Sequence, residues 1–111
     1  MKIHYYRLFE NKLTSIEKDT FKGLIEVEHL LLNDNSITNI EDFSFNDMIN
    51  LSTLYLQSNL LTRLRADTLK GLKNLKEVWI EYNEITSINT QSLVGLTSLE
   101  KVNIDMYRYS N

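Results

Sequence analysis

The chain has 111 residues, enough for one domain, and its 42% apolar and 24% charged residues indicate a folded protein and exclude a disordered one. The net charge of −3 gives no electrostatic reason to bind nucleic acid or an anionic membrane, so we predict neither as a partner. The absence of cysteine excludes a disulfide framework, and no apolar run approaches the ~18 residues of a membrane span, so we predict no membrane insertion.

One pattern of apolar residues and asparagines recurs every 24 residues along the chain. The asparagines are Asn11, Asn35, Asn59 and Asn83. The apolar residues before them are Ile3, Tyr6 and Leu8, then Val27, Leu30 and Leu32, then Leu51, Leu54 and Leu56, and finally Leu75, Val78 and Ile80. The spacing of two between the last members of each set predicts a short strand with one buried side. We therefore predict one domain, 1–111, with repeats 3–26, 27–50, 51–74 and 75–98 and a partial fifth repeat, 99–111.

The second half of each repeat carries a large apolar residue followed by a glycine position. The large residues are Phe21, Phe45, Leu69 and Leu93, and we expect them to fill the half of the core that lies opposite the strands. Gly23, Gly71 and Gly95 share one column, in which Asp47 takes the place in the second repeat. Because Asp tolerates tight-turn backbone angles better than most residues, we expect a tight turn at this column.

This pattern, LxxLxLxxNxLxxLxxxxFxGLxx, resembles the leucine-rich repeat in the 24-residue form of Toll-like receptors, small leucine-rich proteoglycans and variable lymphocyte receptors. The resemblance covers residues 3–104 and implies an α/β solenoid, curved, with short parallel strands on the concave face and loops or short helical turns on the convex face. Stacked copies can bury a continuous core that a single short strand cannot. The asparagines would form a ladder that satisfies backbone groups inside that core.

The outward-facing strand residues are the ones that the repeat does not explain. In the segment VWIEYNEITSI, 78–88, Val78 and Ile80 face the core while Trp79, the single tryptophan, faces away from it. The same outward row contains Arg7, Leu31, Tyr55, Trp79 and Asn103. Because parallel strands lie ~4.8 Å apart, Leu31, Tyr55 and Trp79 should form a contiguous apolar strip.

Polar and acidic residues surround this strip in the adjacent rows. One row is Tyr5, His29, Thr53, Glu77 and Lys101; the other is Phe9, Asn33, Gln57, Glu81 and Asp105. Aromatic anchors in a polar frame are typical of protein interfaces, and the carboxylates favour a positively charged partner. We predict a ligand-binding site at Leu31, Tyr55, Trp79, Glu77, Glu81, Tyr82, Asp34 and Asp105. In the alternative, Tyr55 and Trp79 only pack on one another and stiffen the sheet.

No residues form a recognisable catalytic or metal-binding motif. His4 and His29 occupy different strand positions, without a serine or carboxylate in a catalytic arrangement, and the acidic residues lack the spacing of a calcium loop. We predict a non-enzymatic protein without a cofactor or a metal. The basic cluster is expected on a solvated outer face; it comprises Arg63, Arg65, Lys70, Lys73 and Lys76.

The two ends of the solenoid suggest a second function. Extracellular members of the family usually carry cysteine-rich caps, which this chain lacks. The apolar residues of the first layer should then be open on one side; they are Ile3, Tyr6, Leu8, Leu13, Ile16, Phe21 and Leu24. We expect self-association through Ile3, Tyr6 and Leu8, either in a fragment of a longer ectodomain or in a complete small protein that forms a homodimer or an end-to-end oligomer.

Two functions therefore remain open. The resemblance implies receptor-like or immune-type recognition of a protein ligand, outside the cell or at its surface. The alternative is a self-assembling structural solenoid without a foreign ligand. Without cysteines or a recognisable signal segment in this sequence, a cytoplasmic location also stays open.

Overall fold

Stacked turns of 24 residues give each repeat one short strand in a shared sheet. The computed structural model describes residues 4–105. Its strands are β1 (Tyr5–Arg7), β2 (Ser15–Ile16), β3 (His29–Leu31), β4 (Asn39–Ile40), β5 (Thr53–Tyr55), β6 (Arg63–Leu64), β7 (Glu77–Trp79), β8 (Ser87–Ile88) and β9 (Lys101–Asn103). The odd-numbered strands form a five-stranded sheet in the order β1-β3-β5-β7-β9, and every neighbouring pair is parallel.

The register of this sheet follows the repeat without a slip. Leu30 pairs with Tyr6 on one side and with Leu54 on the other, and Val78 pairs with Leu54 and Val102. The predicted parallel solenoid is thereby confirmed. The short parallel pairs β2–β4 and β6–β8 were not predicted.

The core runs through the stack behind the sheet. Leu30, Leu54 and Val78 are almost completely buried, as are Phe21 and Phe45, whose rings stack with centroids 6.0 Å apart. This confirms the prediction that Phe21 and Phe45 fill the core, as does Leu69, whereas Leu93 is only partly buried. The expected opening of the first layer is only partly correct. Tyr6, Leu8, Leu13 and Leu24 are half-buried, but Ile16 and Phe21 are each only 1% exposed.

Phe21 is covered because aromatic rings contact it on two sides. Tyr6 meets its ring edge-on at 6.1 Å, and Phe45 stacks on it from the next repeat. Ile3, the third residue expected at this open end, lies outside the described residues.

The asparagine ladder forms as predicted in the inner repeats. Asn59 is buried; its Oδ1 accepts a hydrogen bond from the Ile37 backbone N–H at 3.0 Å, and its Nδ2 donates to the carbonyls of Leu32 and Leu56 at 3.0 and 3.1 Å. Asn35 and Asn83 repeat this arrangement. Each amide therefore joins its own turn to the preceding one, which satisfies backbone groups that water cannot reach.

A second ladder, which was not predicted, connects the turns outside the sheet. The column Thr14, Thr38, Thr62 and Thr86 is threonine in all four full repeats. The hydroxyl of Thr38 donates to the backbone carbonyl of Thr14 at 3.2 Å, and that of Thr86 donates to Thr62 at 3.4 Å. These bonds run in the same direction as the backbone bonds between the same residues.

The glycine column lies in a tight turn in every repeat, but the backbone angle at the column differs between repeats. Gly23 and Gly71 have φ of 80° and 97°, but neither Gly95 nor Asp47 has a positive φ. Asp47 nevertheless lies in the expected tight turn, in which the Met48 N–H donates to the Phe45 carbonyl at 3.0 Å. The Asp47 carboxylate also accepts a hydrogen bond from the Gly23 backbone N–H at 2.9 Å, so the side chain joins two turns.

The convex side consists mainly of irregular turns. Within residues 4–105 the helical structure is a single 3₁₀ helix, Thr90–Leu93. Asn89 is its N-cap residue, and the Asn89 side chain accepts a hydrogen bond from the Gln91 N–H at 2.9 Å. No helix of that range is long and apolar enough to cross a membrane.

Arg65 departs from the predicted solvated basic face. It is half-buried, its Nε lies 3.0 Å from the Asp42 carboxylate, and its guanidinium also donates to the Asn39 side chain and the Ile40 carbonyl. Because Arg65 binds groups of the preceding turn, it supports the stack. The other four members of the basic cluster are exposed, as predicted.

Candidate functional site

The solvent side of the five-stranded sheet, called the concave face below, presents three parallel rows of side chains. The central row is fixed by the strand register, which pairs Leu31 with Tyr55 and Tyr55 with Trp79. All three residues are half-buried. The structure thus brings together the apolar strip that alternation along the strands predicts, and the binding role of these residues stays a prediction.

The aromatic centre of the face is a stacked pair. The rings of Tyr55 and Trp79 are 6.2 Å apart at an interplanar angle of 17°. The indole Nε1 of Trp79 donates to the Glu77 carboxylate at 3.2 Å, and the Lys101 ammonium lies 5.0 Å from the indole centroid. These contacts hold the tryptophan in one orientation while leaving part of its surface accessible. Stacking, the alternative explanation for the two aromatics, therefore occurs together with partial exposure.

The Tyr55 hydroxyl has an altered acidity. Burial is the main factor that raises its pKa above the ordinary 10.0, followed by the charge of Glu77 and the interaction with Tyr5. Each of these disfavours the phenolate. The hydroxyl therefore stays protonated at neutral pH and can donate a hydrogen bond to a ligand.

A row of polar side chains flanks the aromatic pair on the C-terminal side of the strands. Asn33, Gln57 and Glu81 occupy equivalent positions, and backbone hydrogen bonds from Asp34 to Gln57 and from Ser58 to Glu81 continue the register past the strands. Asn33 Oδ1, Gln57 Oε1 and Glu81 Oε1 are each shielded from solvent without a hydrogen-bond donor in the described residues. The Asn33 Nδ2 donates a hydrogen bond to the Asp34 carboxylate at 2.7 Å.

The rim of the face is formed by residues in the left-handed backbone region. Glu10, Asp34, Ser58 and Tyr82 have φ of 57°, 59°, 60° and 58°, and each immediately precedes a ladder asparagine. The left-handed conformation turns the chain from the sheet into the core ladder. It also projects Tyr82, which is 72% exposed, while the Tyr82 backbone N–H is held by Asp105 at 3.2 Å. This conformation could not be predicted from residue type, because three of the four residues are not typical of it.

The N-terminal part of the face has a separate aromatic contact, which the sequence did not predict. Tyr5 and His29 stack with ring centroids 4.4 Å apart, and the guanidinium carbon of Arg7 lies 5.0 Å from the Tyr5 centroid. His4 contacts the Glu28 carboxylate at 2.7 Å. Both imidazoles therefore contact side chains of neighbouring residues.

The concave face is acidic around its aromatic centre. Its carboxylates are Glu10, Asp34, Glu77, Glu81 and Asp105, and its basic side chains are Arg7 and Lys101. Both basic groups lie over aromatic rings of the face itself. The predicted site residues Asp34, Glu77, Glu81, Tyr82 and Asp105 therefore surround the strip formed by Leu31, Tyr55 and Trp79.

A different depression lies on the convex side, between the second half-repeats. It has a volume of about 620 Å³ and is open to solvent, and Lys70, Lys73, Ser92 and Val94 are among the residues that line it. Its walls mix polar and apolar groups without an aromatic residue. This depression was not predicted from the sequence.

Comparison with known sequences identifies one family over nearly the whole chain. A profile described as Leucine rich repeat matches residues 7–60 and 49–106. No curated protein matches the sequence.

Comparison with solved structures finds similar stacks within much longer proteins. A chain of the TLR13–ssRNA13 complex superposes with a TM-score of 0.86 at 25% identity, covering 92% of this chain and 15% of that one. The Drosophila Toll–Spatzle complex, in its glycosylated form, gives a TM-score of 0.88 at 25% identity, covering 92% of this chain and 14% of the other. A second structure of the same complex gives a TM-score of 0.82. The chain thus spans only a small part of the length of these structures.

Proposed function

Because this chain belongs to the leucine-rich repeat family, we propose that it is a non-enzymatic recognition module that binds a protein through its concave face. One observation carries the proposal: the stacked pair Tyr55 and Trp79 is fixed on a rigid sheet, is partly exposed, and is surrounded by carboxylates. The candidate contacts are Leu31, Tyr55, Trp79, Glu77, Glu81, Tyr82, Asp34 and Asp105.

The energetics of such a pair favour an interface. Burial of the remaining apolar surface of Trp79 gains roughly 25 cal/mol per Å². Little conformational entropy is lost on binding, because the stacked ring is already immobilised by Tyr55, Glu77 and Lys101. Aromatic anchors of this kind supply a large part of the binding energy at protein interfaces.

The charge of the face favours a basic protein. Toll is found in complex with Spatzle, and TLR13 with single-stranded RNA, so similar stacks occur in complexes with both kinds of ligand. Phosphates would be repelled by the carboxylates around Trp79, whereas a cationic surface would be attracted. By analogy with these proteins, we propose a receptor-like, immune-type role outside the cell or at its surface.

A random peptide library displayed on phage tests this proposal. We expect clones selected on the wild-type protein to carry net positive charge and to lose roughly 30-fold in affinity for a Trp79→Ala variant, as for an interface hot spot. Val94→Ala is the matched control, because Val94 is an exposed apolar residue on the convex side. Clones that bind both variants as well as the wild type would contradict binding through the concave face. Circular dichroism verifies that both variants are folded.

Self-association is a second candidate function, favoured by the exposure of the first strand. Tyr6 and Leu8 are half-buried, while Leu30 and Leu32, the equivalent residues of the next repeat, are 0% exposed. If the first strand joins two copies, Tyr6→Lys should lower the mass measured by light scattering. An unchanged mass would exclude that interface.

A further inference from the structure

We infer that the concave face holds an arginine side chain of its partner, with the guanidinium donating hydrogen bonds to the row formed by Asn33, Gln57 and Glu81 beside Tyr55 and Trp79. This inference rests on the proposed concave-face function and specifies the chemistry of the contact. The row of Asn33, Gln57 and Glu81 is called the acceptor row below.

The acceptor row suits a ligand that donates hydrogen bonds. One oxygen of each of its side chains is shielded and has no donor in the described part of the chain. The polarity of the row is fixed at two of its three positions. The Asn33 amide is oriented by its bond to Asp34, and Glu81 carries two acceptor oxygens.

A shielded acceptor without a donor costs free energy, which a suitable ligand recovers on binding. All three residues are partly exposed, so rotation of the terminal groups of Gln57 and Glu81 can present their oxygens to a ligand while Asn33 keeps its bond to Asp34. Among protein side chains, arginine and lysine donate hydrogen bonds and accept none.

The spacing of the row and the adjacent rings favour arginine over lysine. Neighbouring acceptors lie on strands ~4.8 Å apart, a separation that a planar guanidinium can bridge with divergent N–H groups, whereas an ammonium is a compact point charge. Guanidinium groups also stack on aromatic rings. The Lys101 ammonium, 5.0 Å from the Trp79 centroid, is an internal example of a cation held by this ring.

The opposite flank of the aromatic pair is already occupied. Glu77 accepts the indole hydrogen bond, and Lys101 lies over the ring. The acceptor row belongs to the other flank, where Glu81 makes no ion pair within residues 4–105. The remaining shielded atoms of the face, His29 Nδ1 and Asn103 Nδ2, lie outside this row.

The test uses small arginine derivatives and the ¹⁵N-labelled chain. N-acetyl-arginine amide, N-acetyl-lysine amide and N-acetyl-citrulline amide are titrated while the single indole N–H resonance, that of Trp79, is followed. We expect the arginine derivative to shift this resonance with an apparent Kd at least about threefold below that of lysine. Neutral citrulline, which keeps the shape of arginine, should give no saturable shift.

Paired charge-neutralising variants locate the contact. Glu81→Gln should raise the Kd for the arginine derivative roughly three- to tenfold, because it removes a charge-assisted hydrogen bond. Glu84→Gln, an exposed carboxylate of the same repeat outside the concave face, removes the same charge and should leave the Kd unchanged. Equal Kd values for arginine and lysine, or equal effects of the two variants, would overturn the inference.

The peptide selection separates the failure of this inference from failure of the proposed function. Clones that depend on Trp79 but contain no essential arginine would leave concave-face binding intact and refute the arginine contact. A selection without any clone that depends on Trp79 would contradict the proposed function itself.

Discussion

Asn59→Leu should destabilise the fold by about 2–4 kcal/mol, because it removes the central rung of the asparagine ladder. The two side chains have the same branched arrangement of heavy atoms, so the change removes hydrogen bonds without removing atoms from the core. The Ile37 N–H then has no acceptor in a dry core, while the Leu32 and Leu56 carbonyls each keep a bond from a neighbouring ladder asparagine. The estimate therefore rests on one orphaned donor and two weakened acceptors.

Asn11→Leu is the matched control, because Asn11 is exposed and, among residues 4–105, donates only to carbonyls of its own turn, those of Leu8 and Phe9. Its stability should change by no more than about 0.5 kcal/mol. Urea unfolding followed by circular dichroism measures both variants against the wild type. Equal destabilisation by the two substitutions would refute the view that the ladder stabilises through bonds between turns.

Three glycine variants and one titration give further predictions. Gly71→Ala should cost at least about 3 kcal/mol, because φ is 97° and the added Cβ would lie 2.7 Å from the Asn46 backbone. Gly23→Ala, with φ of 80° and no atom within 4 Å of the added Cβ, should cost about 1–2 kcal/mol, and Gly95→Ala should gain about 0.5 kcal/mol. Denaturant unfolding that ranks the stabilities of the three variants in a different order would contradict the role of the backbone angle. The pKa of Tyr55 is raised in the folded state, so its contribution to stability is complete below pH 10.0 and is lost as the pH rises further. A Tyr55→Phe variant should therefore lose less stability than the wild type at alkaline pH. Equal losses in the two proteins would contradict the raised pKa of Tyr55.

The sequence predicted the parts of the fold that depend on periodicity. Residues of one type recur at one spacing, and this recurrence predicts the strand register, the buried leucines, the stacked rings of Phe21 and Phe45, and the asparagine ladder. Alternation within a strand also placed Tyr55 and Trp79 side by side on the outward face.

Side-chain partners and backbone angles could not be read from the same pattern. Asp47 shares a column with glycine, but it uses its carboxylate to bind the preceding turn and has no left-handed backbone. Tyr82 adopts that backbone although its residue type disfavours it. Arg65 occurs in a basic cluster and nevertheless is held by Asp42, because a neighbouring turn supplies the partner. These features depend on contacts between repeats that differ from one repeat to the next.

The emission of Trp79 on addition of a peptide selected by the wild-type protein tests concave-face binding most directly. The chain has one tryptophan, so its tryptophan emission reports on Trp79 alone. We predict accessible emission in the free protein, and a blue shift with protection from acrylamide quenching as the peptide saturates. Binding confirmed by calorimetry with unchanged emission and unchanged quenching would contradict the proposal that this face is the recognition site.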